Sequence, residues 1–199
     1  GFDVADVSAV VLSHAHIDHS GLLPKLVQQG YLKEIHATSA TKDLATLLME
    51  DSAGIQANDI KYQNKRRIQE GKPPLQPLYS EDDAMAASAL LVEHPYHDWF
   101  DVIDGVQCMY TDAGHIIGSA VVHVKITEDG KTEQLTFSGD VGRYRDVILK
   151  SPEVFPQADY IILESTYGNS LHDLHKPTVD QLLMWIEKTC IEKKGKLII

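Results

Sequence analysis

Ser13-His14-Ala15-His16-Ile17-Asp18-His19-Ser20-Gly21 gathers three histidines and an aspartate within six residues, directly behind the apolar run Val7-Ser8-Ala9-Val10-Val11-Leu12. Neutral imidazole and carboxylate together suit zinc and similar borderline divalent ions, whereas an all-carboxylate loop would suit calcium or magnesium. The flanks read as a scaffold. Val10, Val11 and Leu12 form a buried strand in this reading, and residues 21–27 form a helix starting just past the histidines. A strand-to-helix turn lets several side chains converge on one point while rigid elements hold both ends. The competing reading is a run of surface histidines without a ligand role, and the density of donors in a non-repetitive stretch weighs against it.

Composition sets outer bounds. The chain has 199 residues, 43% of them apolar and 24% charged, which is ordinary for a globular protein with one substantial core, or with one domain and part of another. Eighteen basic against twenty-nine acidic residues give a formal charge of −11, so no basic field covers the whole surface. That weighs against a stand-alone nucleic-acid binder. It leaves a nuclease open, because bound cations would offset part of the local negative charge. Cys108 and Cys190 are the only cysteines and form no spaced pair, which points to a reducing, cytoplasmic compartment rather than a disulfide scaffold. No apolar run approaches the ~18 residues of a membrane span, and no signal peptide is visible. The first residue is Gly1 and the last three are Leu197-Ile198-Ile199, so the chain reads as a piece of a longer protein that stops in mid-strand.

Further along, residues 34–37 read as a short strand, and Thr38 or Ser39 as the N-cap of a long helix. Leu44, Leu47, Leu48, Ser52 and Ile55 follow helical spacing and are expected to form its buried face. The next turns carry Lys61, Lys65, Arg66, Arg67 and Lys72, the one dense cationic cluster. It is either a solvated helix end or a contact for phosphate groups. Gly71-Lys72-Pro73-Pro74 breaks the helix, and Ser80 with Asp83 resembles a capping box for a helix over residues 82–91. From residue 102 the pattern changes to strands, at 106–111, 120–127 and 134–137, with Asp129-Gly130 as a hairpin turn. Residues 158–163 form another apolar strand. Lys176-Pro177 opens a last helix whose Leu182, Leu183, Trp185 and Ile186 are expected to pack inward.

Two later stretches repeat the chemistry of the first. Asp112-Ala113-Gly114-His115-Ile116-Ile117-Gly118-Ser119-Ala120 places a histidine in a glycine-bounded loop between strands. Phe137-Ser138-Gly139-Asp140-Val141-Gly142 places a carboxylate at a strand end among small residues. Each is weak alone, since Gly-Asp also marks ordinary turns. Together with the first cluster they give six candidate ligands: His14, His16, Asp18, His19, His115 and Asp140. That set exceeds one tetrahedral zinc and nearly suffices for two.

The run His14-x-His16-x-Asp18-His19, followed in order by His115 and Asp140, resembles the metallo-β-lactamase fold superfamily. Residues 12–26, 112–120 and 138–143, with Glu164-Ser165-Thr166-Tyr167-Gly168, resemble its β-CASP branch, which acts on nucleic acids. Within that branch the chain is most similar to prokaryotic RNA-processing nucleases related to the cleavage-and-polyadenylation endonuclease subunit. The resemblance implies an α/β fold: a partial metallo-β-lactamase αββα sandwich over residues 1–165, lacking its first strands and its C-terminal part. The start of a β-CASP α/β domain would follow over residues 166–199.

Carried over residue by residue, His14, His16 and His115 would hold one zinc, Asp18 and His19 a second, and Asp140 would bridge them. Manganese, or a single metal, is an open alternative. Asp18, Asp140 and Glu164 would be catalytic, Glu164 as an acid supporting a histidine beyond Ile199. The implied activity is hydrolysis of RNA phosphodiester bonds through a dinuclear zinc-bound hydroxide, with single-stranded RNA as substrate and a homodimer of the longer protein left open. The 199 residues alone are expected to be inactive. Tyr167, by stacking on a base, and His172, in the cleft, are the candidate substrate contacts, and His175 is a further cleft residue. His36, His94, His97 and His123 read as packing or surface residues. Two other functions compete: hydrolysis of a small ester or thioester, which the Glu164 motif argues against, and a non-catalytic RNA-binding scaffold subunit, against which the six intact ligands argue, although the resemblance puts one further ligand of the second zinc after Ile199.

Overall fold

The computed structural model describes residues 2–170 and 178–198, and it divides into two compact units, Gly1–Glu164 and Ser165–Ile199. In the first unit a short 3-10 turn (Val4–Asp6) leads into strand β1 (Val10–Val11). Helices α1 (Ile17–Ser20) and α2 (Leu23–Gln28) follow, then β2 (Ile35–Thr38), α3 (Ser39–Gln69), α4 (Glu81–Ala89) and β3 (Leu91–His94). Strands β1, β2 and β3 form a parallel sheet in that order. Strands β4 (Phe100–Ile103), β5 (Val106–Asp112), β6 (Ala120–Glu128), β7 (Lys131–Phe137) and β8 (Tyr160–Ile162) form a second sheet in chain order. It is antiparallel except for the parallel β7–β8 pair.

The parallel sheet is covered on both faces, as parallel sheets require. Ile35 and Ala37 of β2 point into a core with Leu23 of α2, Ala45, Met49 and Ala53 of α3, and Ala84 and Ala87 of α4. His36, between them, points the other way and meets the ring of Phe100 on β4 at 5.5 Å. Helices, parallel sheet and antiparallel sheet therefore form successive layers, with a second core around Cys108, Tyr110, Ala120 and Val122 against Val11.

Most of the local signals hold. Thr38 caps α3 by accepting from the Thr41 N–H, and Ser80 and Asp83 form a complete capping box on α4. Asp129 and Gly130 turn the β6–β7 hairpin with φ of 50° and 75°, the double positive φ of a type I′ turn. Five expectations are corrected, the last of them at the C-terminal residues. A helical turn begins inside the histidine motif, at Ile17, rather than after it. The fully buried row of α3 is Thr41, Ala45, Met49 and Ala53; of the expected residues Leu44 and Leu48 pack partly buried against that core, while Leu47 and Ile55 are exposed. Strands β3 and β4, absent from the sequence reading, complete the two sheets. In the second unit, helix α5 (Thr178–Ile186) exposes Leu182, Leu183 and Trp185 instead of burying them, and a π-helical turn (Glu187–Glu192) follows.

Residues 194–198 form no strand, because a strand needs a partner backbone and none pairs with them among the described residues. Lys176 and Pro177 lie outside the described residues. Among the described residues no helix is long and apolar enough to cross a membrane.

Candidate metal centre

Three strand ends converge on one point of the first unit, held by backbone bonds that no motif announces. The carbonyl of Ser13, just past β1, accepts from Ala120 N–H at the start of β6 (2.8 Å). The carbonyl of Ala113, in the loop after β5, accepts from Gly142 N–H in the loop after β7 (2.8 Å). These two bonds bring residues 13–19, 113–119 and 138–142 together. Gly142 makes the second contact possible, since a Cβ there would lie 1.6 Å from the Gly114 carbonyl oxygen. Gly118 does the same on the far side of the His115 loop: with φ +83° it approaches α3 until a Cβ would lie 2.6 Å from Thr41 N. The Gly118 carbonyl then accepts from both Thr38 Oγ1 (2.6 Å) and Thr41 Oγ1 (2.8 Å).

Within this frame four predicted ligands meet. One donor atom from each of His14, His16, His115 and Asp140 falls in a group whose members all lie within 4.8 Å of one another. His16 Nδ1 is 3.1 Å from His14 Nε2 and 3.1 Å from His115 Nε2. Asp140 Oδ2 is 3.7 Å from His14 Nε2 and 3.4 Å from His115 Nε2. A tetrahedron with zinc–ligand bonds of about 2.0–2.1 Å has edges of about 3.3 Å. The donor set and its spacing fit such an ion. Asp140 turns its other oxygen, Oδ1, to His19 Nε2 at 3.4 Å, and His19 Nε2 is 3.6 Å from Asp18 Oδ2. Asp18 and His19 thus lie toward the Oδ1 atom of Asp140, with the His19 ring also 4.1 Å from the His14 ring. Asp18 is the most exposed of the six, at 74%.

The electrostatics favour ligation. Burial, reinforced by neighbouring His19, pushes the His14 imidazole down to about 4 against the pull of Asp140. Burial likewise lowers His115, again opposed by Asp140. Both rings are therefore neutral at pH 7 and present a lone pair, as metal binding demands. Ser13 Oγ lies 3.1 Å from His14 Nδ1, which leaves Nε2 to face the cluster. Ser119 Oγ accepts from the backbone N–H of His115 (3.0 Å) and of Ile116 (3.2 Å) and so fixes the loop. Sequence reasoning assigned neither serine a role.

Glu164 sits beside the cluster. Its Oε1 accepts from Val141 N–H (3.0 Å), and its own N–H donates to Ser138 Oγ (3.0 Å). It thereby clamps the residues on both sides of Asp140. Tyr167 belongs to the second unit and is exposed there, while His172 and His175 lie outside the described residues. Three of the other histidines have packing roles. His36 Nδ1 meets His94 Nε2 at 2.9 Å, His94 stacks on Phe100, and His123 lies between the hydroxyls of Thr111 (2.9 Å) and Thr136 (3.0 Å). His97 is exposed, 3.4 Å from Glu153.

Comparison with known proteins identifies the family. A family model described as the metallo-beta-lactamase superfamily matches residues 1–188. Ribonuclease TTHA0252 of Thermus thermophilus is 32% identical over the whole of this chain, which spans 41% of that protein. Transcription termination factor FttA of Methanosarcina mazei is 31% identical, again over the whole chain, which spans 29% of it. This chain thus covers less than half the length of either relative. Among solved structures, a subclass B3 metallo-beta-lactamase from a soil metagenome library aligns with 69% of this chain and 43% of its own, at 21% identity and a TM-score of 0.40.

Proposed function

This chain belongs to the metallo-beta-lactamase superfamily, and we propose that it is the metal-binding part of a β-CASP-type ribonuclease that hydrolyses RNA phosphodiester bonds. One observation carries the reading: Asp140 offers one carboxylate oxygen to His14 and His115 and the other to His19. That is the arrangement a carboxylate shared by two ions needs. The names of the relatives, a ribonuclease and a transcription termination factor, support RNA as the polymer. The Glu164-Ser165-Thr166-Tyr167-Gly168 resemblance supports the β-CASP branch, with residues 166–199 as the start of its second domain.

In this reading His14, His16 and His115 hold one zinc with Asp140, and Asp18 and His19 hold a second with its other oxygen; manganese is the alternative ion. Bound there, the ions would supply positive charge against the oxygens that attack and leave phosphorus in an in-line displacement. The chain's own groups do the positioning. The neutral His14 and His115 rings and the Asp140 carboxylate fix where charge is held. Asp18, open to solvent, accepts a hydrogen bond from the attacking water. Glu164, through Val141 and Ser138, holds Asp140 in register. Tyr167 stacks on a base of a single strand, and His172 is a residue of the substrate cleft. The activity is assigned to a longer cytoplasmic polypeptide, in which homodimer formation is a further expectation, and the 199 residues alone should cleave poorly.

The test pairs metal content by mass spectrometry with cleavage of labelled RNA and DNA by the longer protein. About two zincs per chain with RNA cleavage abolished by chelation is the expected result. Metal without cleavage of either polymer would sink the nuclease reading in favour of a small-ester hydrolase or a scaffold. Absence of metal would sink the site itself.

A further inference from the structure

The C-terminal half of α3 carries a surface that the metal centre does not use. In a chain of formal charge −11, residues 61–72 hold Lys61, Lys65, Arg66, Arg67 and Lys72 against the single acid Glu70. The structure sorts them by face. The segment returning from α3 to α4 lies along one row of the helix. Asn64 pairs with both backbone groups of Leu75 (2.7 and 2.9 Å), Gln56 accepts from Leu78 N–H (3.2 Å), and Ser52 meets the Tyr79 hydroxyl (3.0 Å). Arg67 is drawn to that side, donating to the Pro73 carbonyl (2.8 Å).

Lys61, Tyr62, Lys65 and Arg66, at i, i+1, i+4 and i+5, form the rows turned away from this segment, and all four are exposed. Among the described residues neither Lys61 nor Lys65 has a carboxylate partner, whereas Arg66 and Lys72 share Glu70 (2.7 and 2.8 Å). The Tyr62 ring is 71% exposed, with Lys65 Nζ 5.3 Å from its centroid.

We propose that Lys61, Tyr62, Lys65 and Arg66 form an accessory binding strip for the backbone and bases of single-stranded RNA, remote from the metal centre. Lys61 and Lys65, without carboxylate partners among the described residues, beside an exposed aromatic ring supply what such a strand needs: charge for phosphates and a sequence-tolerant stacking platform for a base. The strip is a positive patch on a chain of formal charge −11, which suits a polyanion. Only the identity of the polymer rests on the nuclease reading above.

Position along the helix sets the length of RNA that can use the strip. Thr41, which holds the His115 loop through Gly118, is 20–25 residues before Lys61–Arg66, or about 30–38 Å at 1.5 Å per residue. At about 3.4 Å per stacked nucleotide that span takes roughly nine to eleven nucleotides.

The experiment measures binding by fluorescence anisotropy in chelator, so that it is independent of cleavage. The ligands are labelled single-stranded RNAs of about 30 and about 5 nucleotides, with a DNA of the longer length, chosen to exceed or fall short of that span. Replacing Lys61, Lys65 and Arg66 by Gln together should weaken the longer RNA about 10-fold or more at low salt and reduce its log–log salt slope by about 2. The short RNA, unable to span the strip and the metal centre together, should lose less than the longer one. Tyr62→Ala should cost the longer RNA about tenfold without changing the slope. The charge-matched control replaces Lys193, Lys194 and Lys196 of the second unit by Gln, and circular dichroism checks that each variant is folded. Equal losses in strip and control variants, an unchanged slope, or no RNA binding by the wild type would overturn the proposal. Tighter strip-dependent binding of the DNA than of the RNA would overturn its RNA assignment. Strip-dependent binding by a protein that cleaves nothing would uphold the strip while the nuclease reading fell.

Discussion

At Asp140 two demands meet in one carboxylate, because Oδ2 faces His14 and His115 while Oδ1 faces His19. Asp140→Asn preserves the shape but gives one side an amide nitrogen, which cannot ligate. We expect at most one metal per chain and cleavage reduced more than about 100-fold in the longer protein; two tightly bound ions in that variant would disprove the shared role. Ser13 makes a subtler case. Its hydroxyl touches His14 Nδ1, so Ser13→Ala should weaken zinc about 10-fold to 100-fold, read by competition with a chelator, with little change in the apo melting temperature. Legibility at this scale followed distance along the chain. His14, His16, Asp18 and His19 announce themselves because one turn holds them. His115 and Asp140 are weak alone and gain meaning from hydrogen bonds, such as Gly142 N–H to Ala113, that spacing does not encode. Ser13 and Ser119 carry no signal, since serine beside a loop residue is ordinary.

At the scale of elements, loops after β1, β5 and β7 act as one rigid body because their backbones touch. Gly142 is the closest approach, with no room for a Cβ against the Gly114 carbonyl. Gly142→Ala must therefore push the Asp140 and His115 loops apart. We expect a loss of about 1–3 kcal/mol in urea unfolding together with weakened metal binding. Unchanged zinc affinity would mean that the two loops are not mechanically linked. The elements themselves were legible where local chemistry decides them: the Thr38 cap, the Ser80–Asp83 box and the Asp129-Gly130 turn. The buried face of α3 was legible only in part, since Leu44 and Leu48 pack against the core but Leu47 and Ile55 do not. The leucines were the obvious stripe, yet α4 packs through Ala84 and Ala87 against Ala45, Met49 and Ala53, and a close helix–helix approach selects small side chains over large ones. Strands β3 and β4 escaped because each is only four residues long and shows no clean alternation between apolar and polar residues.

Across the first unit, buried histidines make the fold answer to pH. His14, His36, His94, His115 and His123 are all held below the ordinary value of 6.5, with burial the leading cause in each. The folded chain therefore binds fewer protons than the unfolded chain once pH falls below about 6.5. Stability contributed by these neutral rings is fully present above that value and drains away as pH falls, His14 continuing to charge only near pH 4. The metal-free chain should accordingly melt at a constant temperature between about pH 7 and 8 and at falling temperatures from about pH 6.5 to 5. His123 isolates the effect from ligation, because its ring nitrogens meet the Thr111 and Thr136 hydroxyls, its ring lies 6.5 Å from that of Phe155, and it is 3% exposed. In His123→Gln, which retains hydrogen-bonding groups but cannot titrate, the decline should be shallower by up to about 1.4 kcal/mol per pH unit. Calorimetry in chelator across this range checks both statements. A melting temperature that stayed level down to pH 5 would mean that the histidines take up protons inside the fold, and neutral imidazoles would no longer explain why this site is ready for a metal.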